Sequence, residues 1–227
     1  MRRRLRFGRE MNKTHKPRGA GNSRHEPKDS ADFFPTPAWA TRALIEHVFK
    51  PLNLYNPGNA VWEPACGAGH MVRPLLEYYE QVLATDISPQ CQNSFTNDFL
   101  GPHELTSAWF HGEWVITNPP FNLFQQFFDR AMALAKVGVA FFAPLTIIET
   151  IDRYDKIYRP FAGKFCIAPF VERVPIIKNT VRKDAKTSRA YAWLIVMKNP
   201  TCALPPLHHI PPCRKQLERD EDYEDAP

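Results

Sequence analysis

No apolar run approaches the ~18 to 20 uninterrupted residues that a membrane-spanning helix needs, and the Arg-rich start, Met1 to Arg9, has no apolar segment of a secretory leader behind it. A soluble, unsecreted, cytoplasmic protein is the expectation. The cysteines, Cys66, Cys91, Cys166, Cys202 and Cys213, are odd in number and never stand in a C-x-x-C spacing, which speaks against both a zinc site and a disulfide frame. Reduced thiols and no metal follow. Glycine is sparse, with 10 in 227 residues, so two within three positions, Gly67 and Gly69, stand out. Neither a third glycine three residues after Gly69 nor a Gly-Lys-Ser/Thr is present. Those gaps exclude the dinucleotide fingerprint and the phosphate loop, and favour a ligand with few phosphates or none.

What remains supports one core. At 44% hydrophobic and 12% aromatic, 227 residues make a single domain with tails. The net charge of +5 is uneven: residues 1–28 hold ten Lys/Arg against two Asp/Glu, residues 214–227 hold three against six, and the remainder is neutral. We therefore expect a disordered basic tail over 1–30, a catalytic-size domain over 31–205, and a disordered Pro-rich, acidic tail over 206–227. The basic end would attract a polyanion such as nucleic acid.

The pivotal stretch is Thr117-Asn118-Pro119-Pro120-Phe121. It follows the apolar Trp114-Val115-Ile116, which reads as a buried strand, and two prolines stop the ladder because neither has an N–H to donate. In an open α/β sheet, ligands bind beyond the carboxyl ends of strands. Asn118 then offers a side-chain oxygen to an exocyclic amino group and Phe121 a face for the ring that carries it.

Upstream, Thr36 reads as an N-cap with Pro37 opening a helix through Trp39, Ala43, Leu44 and Val48; the Phe33-Phe34-Pro35 segment before it is a rigid loop that can line a pocket. A strand at Ala60-Val61-Trp62 runs through Glu63-Pro64-Ala65-Cys66 into the Gly67–Gly69 turn, with a helix over Met71–Tyr79 whose first N–H groups face a ligand. The next strand, Gln81–Ile87, ends at Asp86, placed to accept from two ribose hydroxyls. Asp98-Phe99 sets an acid beside a ring, suited to an adenine.

Downstream, Phe124–Ala135 reads as an amphipathic helix and Val137–Leu145 as a strand buried on both faces. Helix and loop are expected over Thr146–Tyr158, then strands over Lys164–Pro169, continuing through Val174–Ile177, and over Ala190–Met197. The segment 172–189 contains twelve residues, Lys178 to Arg189, of which five are basic and only Asp184 is acidic; Arg173, Lys178, Arg182, Lys183, Lys186 and Arg189 are candidates for phosphate contacts. Pro211-Pro212-Cys213 has the residues of a cysteine nucleophile, but lies in a Pro-rich end without a strand tip to position it.

In this order, the aromatic and Pro-rich entry loop, Glu63-Pro64-Ala65-Cys66-Gly67-Ala68-Gly69, the acid after the second strand, Asp98-Phe99 and Asn118-Pro119-Pro120-Phe121 resemble the S-adenosylmethionine-dependent DNA adenine-N6 methyltransferases of phages and bacteria, with their gamma motif order. The resemblance covers roughly residues 31–198. It implies a Rossmann-like class I methyltransferase: α/β, with a seven-stranded, mostly parallel sheet and helices on both faces. It implies S-adenosylmethionine held by Phe34, Pro35, Thr36, Pro37, Glu63, Pro64, Ala65, Gly67, Gly69, Asp86, Ile87, Asp98, Phe99 and Asn118. Asn118, Pro119, Pro120 and Phe121 would be catalytic, DNA the partner, and the protein a monomer or homodimer in a bacterial host. Phe121 replaces the commoner Tyr, and the small 172–189 segment stands where larger members carry a recognition domain. An amino-methyltransferase acting on RNA adenine or protein glutamine, or a non-catalytic nucleic-acid-binding relative, is the alternative.

Overall fold

The computed structural model describes residues 33–102 and 112–223; the expected basic tail over 1–30 and the last acidic residues, 224–227, lie outside them. Seven strands form one sheet: β1 (Ala60–Glu63), β2 (Gln81–Asp86), β3 (Phe95–Thr96), β4 (Trp114–Thr117), β5 (Gly138–Pro144), β6 (Phe165–Pro169) and β7 (Tyr191–Met197), in the order β3-β2-β1-β4-β5-β7-β6. Pairings are parallel from β3 to β5 and antiparallel on both sides of β7. The chain order reverses beside β1, where β2 lies on one side and β4 on the other. That switch point is where such sheets bind ligands.

Side-chain alternation splits the core into two layers. Val61, Trp114, Ile116, Ala140, Phe142, Trp193 and Ile195 face one side, against helix α1 (Ala38–Leu44) and Leu75 of α2 (Val72–Leu76). Trp62, Val115, Val139, Phe141, Leu194 and Val196 face the other, against Phe124, Phe127, Phe128 and Ala131 of α3 (Phe124–Leu134). Helices thus cover both faces, and the near-continuous apolar runs of β4, β5 and β7 follow from burial on both sides.

Three expectations are corrected. The N-cap of α1 is Pro37, not Thr36, and α1 widens at its end into a π-helical turn over Ile45–Phe49, closed by the Lys50 N–H on the Ile45 carbonyl at 2.9 Å. Val174–Ile177 does not prolong β6; Pro175 has no N–H for a ladder, and a bridge between Ile177 and Thr180 is what forms there. The third concerns the end. Instead of a disordered tail, residues 206–223 pack on the domain: Leu207 and Ile210 bridge Ile167 and Phe170, Ile210 is fully buried, and a short helix spans Arg214–Leu217. The reason is Arg42. Its guanidinium, almost fully buried, donates to both carboxylate oxygens of Asp222 at 2.7 and 2.8 Å, to Glu77 at 2.8 to 3.2 Å, and to the Leu217 carbonyl at 2.7 Å. Burial works against its charge, but the bonds to Asp222 and Glu77 outweigh that and hold it more firmly protonated than an ordinary arginine.

Candidate functional site

The carboxyl ends of β1, β2 and β4 converge on one edge of the sheet, and hydrogen bonds lace them together. Glu63, at the end of β1, accepts at Oε1 from the Thr117 hydroxyl at 2.6 Å and the Ala65 N–H at 3.0 Å. Trp62 donates to the Thr85 hydroxyl at 2.9 Å, and the Cys66 N–H to the Thr85 carbonyl at 3.0 Å. Asp86, at the end of β2, takes the Gly67 N–H on Oδ2 and the Ser88 N–H on Oδ1, each at 2.9 Å. The glycine-rich turn therefore hangs between the first two strands.

Gly67 has φ +48° and Gly69 φ +81°, conformations that side chains with a Cβ rarely adopt. The turn bends sharply, as the sequence suggests. The close approach is different from the expected one: a Cβ on Gly67 would stand 2.5 Å from the Phe33 ring, and one on Gly69 2.7 Å from Cys91 Cβ. Protein side chains, not the ligand, fill these two spaces. Phe33 also packs its ring 6.0 Å from that of His70, so the entry loop is laid across the turn.

Asn118 follows β4 and joins the site to that loop. Its Nδ2 donates to the Phe34 carbonyl at 2.8 Å, while Oδ1 is buried without a hydrogen-bond partner. The carbonyl at Phe34 dictates this orientation, because only the NH2 end of the amide can face an acceptor. A buried polar atom left unpaired costs roughly 1–3 kcal/mol; besides Asn118 Oδ1, Thr36 Oγ1 of the entry loop, Glu63 Oε2 and the donor Asn97 Nδ2 are buried with no partner among the described residues. The Glu63 carboxyl is 1% exposed. Burial pushes its pKa up to about 8, Asp86 adds to the rise, and the bonds from Thr117 and Ala65 partly oppose it.

The other expected residues divide. Pro119 is buried and Pro120 half-buried; the half-buried Phe121 ring runs nearly parallel to that of Phe34, 21° between planes and 6.4 Å between centroids. Pro35, Thr36 and Pro37 are buried beside Phe34, and Pro64 is buried beside the half-buried Ala65. Ile87, 71% exposed, presents an apolar surface next to Asp86. Asp98 is exposed and turns back on itself, accepting from the Leu100 N–H at 3.0 Å. Phe99 departs from expectation: its ring is 1% exposed, edge-on to Trp62 at 5.0 Å and beside Phe127 at 5.0 Å. It is core, and its face is not free to pack on an adenine. Phe33 lies in the loop expected to line a pocket, whereas Asn97 was not legible as a site residue; its only sequence signal was adjacency to Asp98.

On the far side of Asn118, over the ends of β4 and β5, lies a cavity of about 630 Å³. Phe121, Phe124, Pro144, Leu145, Ile147 and Ile148 wall it, with Arg153 and Arg189 among the polar residues. Of the basic set, Arg189 is at this cavity; the segment carrying it is tied to the entry loop by the Asn179 N–H on the Phe33 carbonyl at 2.8 Å. Arg173 and Lys186 are exposed and Lys178 half-buried. Lys183 pairs with Asp220 at 2.9 Å and Arg182 stands 3.9 Å from Asp184. Cys213 is 1% exposed, and burial pushes its thiol up to about 12, with Glu172 adding to the effect; a nucleophile is neither exposed nor activated there.

Among the described residues, no helix is long and apolar enough to cross a membrane, and no group of three metal-ligating side chains gathers. No protein-family model and no curated protein sequence matches the chain. Solved structures do match in fold. A Pyrococcus horikoshii protein provisionally assigned as an RNA methyltransferase aligns with a TM-score of 0.53 at 15% identity, over 77% of this chain and 91% of that one. DrdV in its complex with DNA aligns with a TM-score of 0.56 at 13% identity, over 78% of this chain and 28% of the other. At these identities the likeness establishes the fold alone, a Rossmann-like α/β architecture with the mostly parallel seven-stranded sheet that the resemblance implied.

Proposed function

We propose that this protein transfers a methyl group from S-adenosylmethionine to the exocyclic N6 amino group of adenine in DNA. The observation that carries the reading is the Asn118 carboxamide, anchored through Nδ2 to the Phe34 carbonyl with Oδ1 buried and unpaired at the end of β4. An acceptor held in this way is preorganised for a donor that arrives with the substrate.

The cofactor fits the residues present. Asp86 has used one acceptor position on each oxygen, leaving capacity for two hydroxyls, and Ile87 offers an apolar face beside it. Glu63 Oε2, buried and raised in pKa, would become an acceptor for an ammonium once that charge draws off its proton, and the entry loop over the Gly67–Gly69 turn would close the ligand in. When bound, the cofactor supplies an electrophilic methyl on a sulfonium.

This chain's residues would prepare the nucleophile. The adenine N6 lone pair is delocalised into the ring. Accepting one N6 hydrogen at Asn118 Oδ1, with the Pro119 carbonyl for the other, favours a pyramidal nitrogen whose lone pair points at the methyl. The N6–C bond forms as the S–C bond breaks, the electron pair returns to sulfur, and one N6 proton is then lost. No covalent enzyme intermediate is required. A base in duplex DNA must be flipped out, at a few kcal/mol, and stacking on Phe121 returns roughly 1–3.

The test is transfer of labelled methyl to duplex DNA, single-stranded DNA, RNA and a protein extract, followed by digestion to nucleosides or amino acids. N6-methyladenine from DNA, absent with Asn118→Ala, is the expected result. Label in RNA or in protein glutamine would move the acceptor and keep the grip. Cofactor binding with no label anywhere would favour a nucleic-acid-binding protein without this activity.

A further inference from the structure

The cavity beside Phe121 lies on the opposite side of Asn118 from Glu63, the glycine turn and Asp86. In sheet order the latter sit over β1 and β2, Asn118 over β4, and the cavity over β5 and the start of β7. Phe121, three residues after Asn118, is the lining residue that joins the cavity to the catalytic segment. At about 630 Å³ the cavity is within the roughly 300–1,000 Å³ of small-molecule pockets and much larger than one amide side chain requires.

Its chemistry is specific. The walls are aromatic and aliphatic, as a flat base demands, and two guanidiniums join them. Arg153 comes from the short helix Ile151–Arg153; its side chain is braced by donation to the Thr146 carbonyl at 3.0 Å and lies 5.7 Å from the centre of the Phe124 ring. Arg189 is exposed at the end of the basic segment. Among the described residues neither is salt-bridged to a carboxylate, whereas Lys183, Arg182, Lys156 and Arg159 all are. Glu149 is the one acid among the lining residues, and it is exposed. Two uncompensated cations beside an apolar cavity match a base with phosphates on either side. A glutamine side chain is neutral and makes no use of them.

We propose that this cavity receives the flipped nucleotide of a DNA strand and that Arg153 and Arg189 clamp the phosphates flanking it. Resting on the methyl-transfer reading, this assigns Arg153 a role that the basic segment alone does not suggest. Guanidiniums are suited to it, since their planar donor forks match phosphate oxygens in pairs.

Binding, read without turnover, tests the clamp separately from the chemistry. A fluorescent single-stranded oligodeoxynucleotide rich in adenine would be titrated by anisotropy between 50 and 200 mM salt, with wild type, Arg153→Ala, Arg189→Ala, Arg153→Lys and, as a control on the opposite edge of the sheet, Lys136→Ala. Each alanine variant at the clamp should flatten the slope of log K against log salt by about 0.7, the value for one phosphate on a single strand; Arg153→Lys should restore most of it and Lys136→Ala should change nothing. Unaltered melting and unaltered affinity for S-adenosylhomocysteine would certify the fold. Slopes equal to wild type in both alanine variants, preference for RNA of the same sequence, or displacement of the oligonucleotide by a glutamine-containing peptide would each overturn the proposal. If wild type methylates no nucleic acid, the methyl-transfer reading fails whatever the slopes are.

Discussion

Asn118 and Glu63 carry opposite kinds of strain. Asn118 keeps an acceptor dry and unpaired. Asn118→Ala should therefore cut transfer by about a hundred- to a thousandfold, on the scale of lost oxyanion-type contacts, while changing cofactor affinity only a few-fold by calorimetry; a collapse of cofactor binding would make the residue structural. Glu63 keeps a carboxyl dry and raised to about 8. Since its folded pKa lies above the ordinary 4.5, its protonated form favours folding; that contribution is complete below pH 4.5 and is lost as pH rises through 8. Thermal melts from pH 5 to 9 should show wild type losing stability relative to Glu63→Gln, and parallel curves would refute it. Both residues were legible because an acid and an amide each stand where a strand must end. What the sequence could not supply is direction: that Asn118 turns its nitrogen to Phe34, or that the Phe99 ring turns inward to Trp62, depends on neighbours far away in the chain.

At the scale of elements, the strands and α3 were readable from apolar periodicity, because burial on one or two faces writes itself into the residues. The end of the chain was not, because acids in succession read as a solvated tail and the cation that orders them lies 180 positions earlier. Asp222→Ala leaves Arg42 buried with Glu77 alone, and breaking a buried pair costs about 3–5 kcal/mol. Melting should fall by roughly 6 to 20 °C. Glu77→Ala, which removes a carboxylate already 26% exposed, should cost much less. Equal losses from the two would mean that Asp222 is no special anchor.

Over the whole molecule, six of the seven strands were readable from pattern, while β3, two exposed residues, was not and the count of seven came from the resemblance; the place of the site at the carboxyl edge follows from the reversal of chain order beside β1. Charge is less legible. The basic count of the 178–189 segment overstates its free charge, since Lys183 is matched to Asp220 and Arg182 stands by Asp184. Lys186→Ala should accordingly flatten the salt dependence of DNA binding more than Lys183→Ala; the reverse ranking would show that the Asp220 pair opens on binding.

The clasp between Arg42 and Asp222 has a temporal side. Synthesis runs from the amino end, so α1 leaves the ribosome long before the partners that cover it: the Trp193 indole, which donates to the Ala40 carbonyl at 3.1 Å, and Asp222 itself. Until those residues emerge, Trp39, Leu44, Ile45 and Phe49 have no finished layer to enter, and a buried-to-be cation waits without its counterion. Completion of this fold waits until Trp193 and Asp222 have both emerged, and a nascent chain halted before Asp222 is a natural client for chaperones.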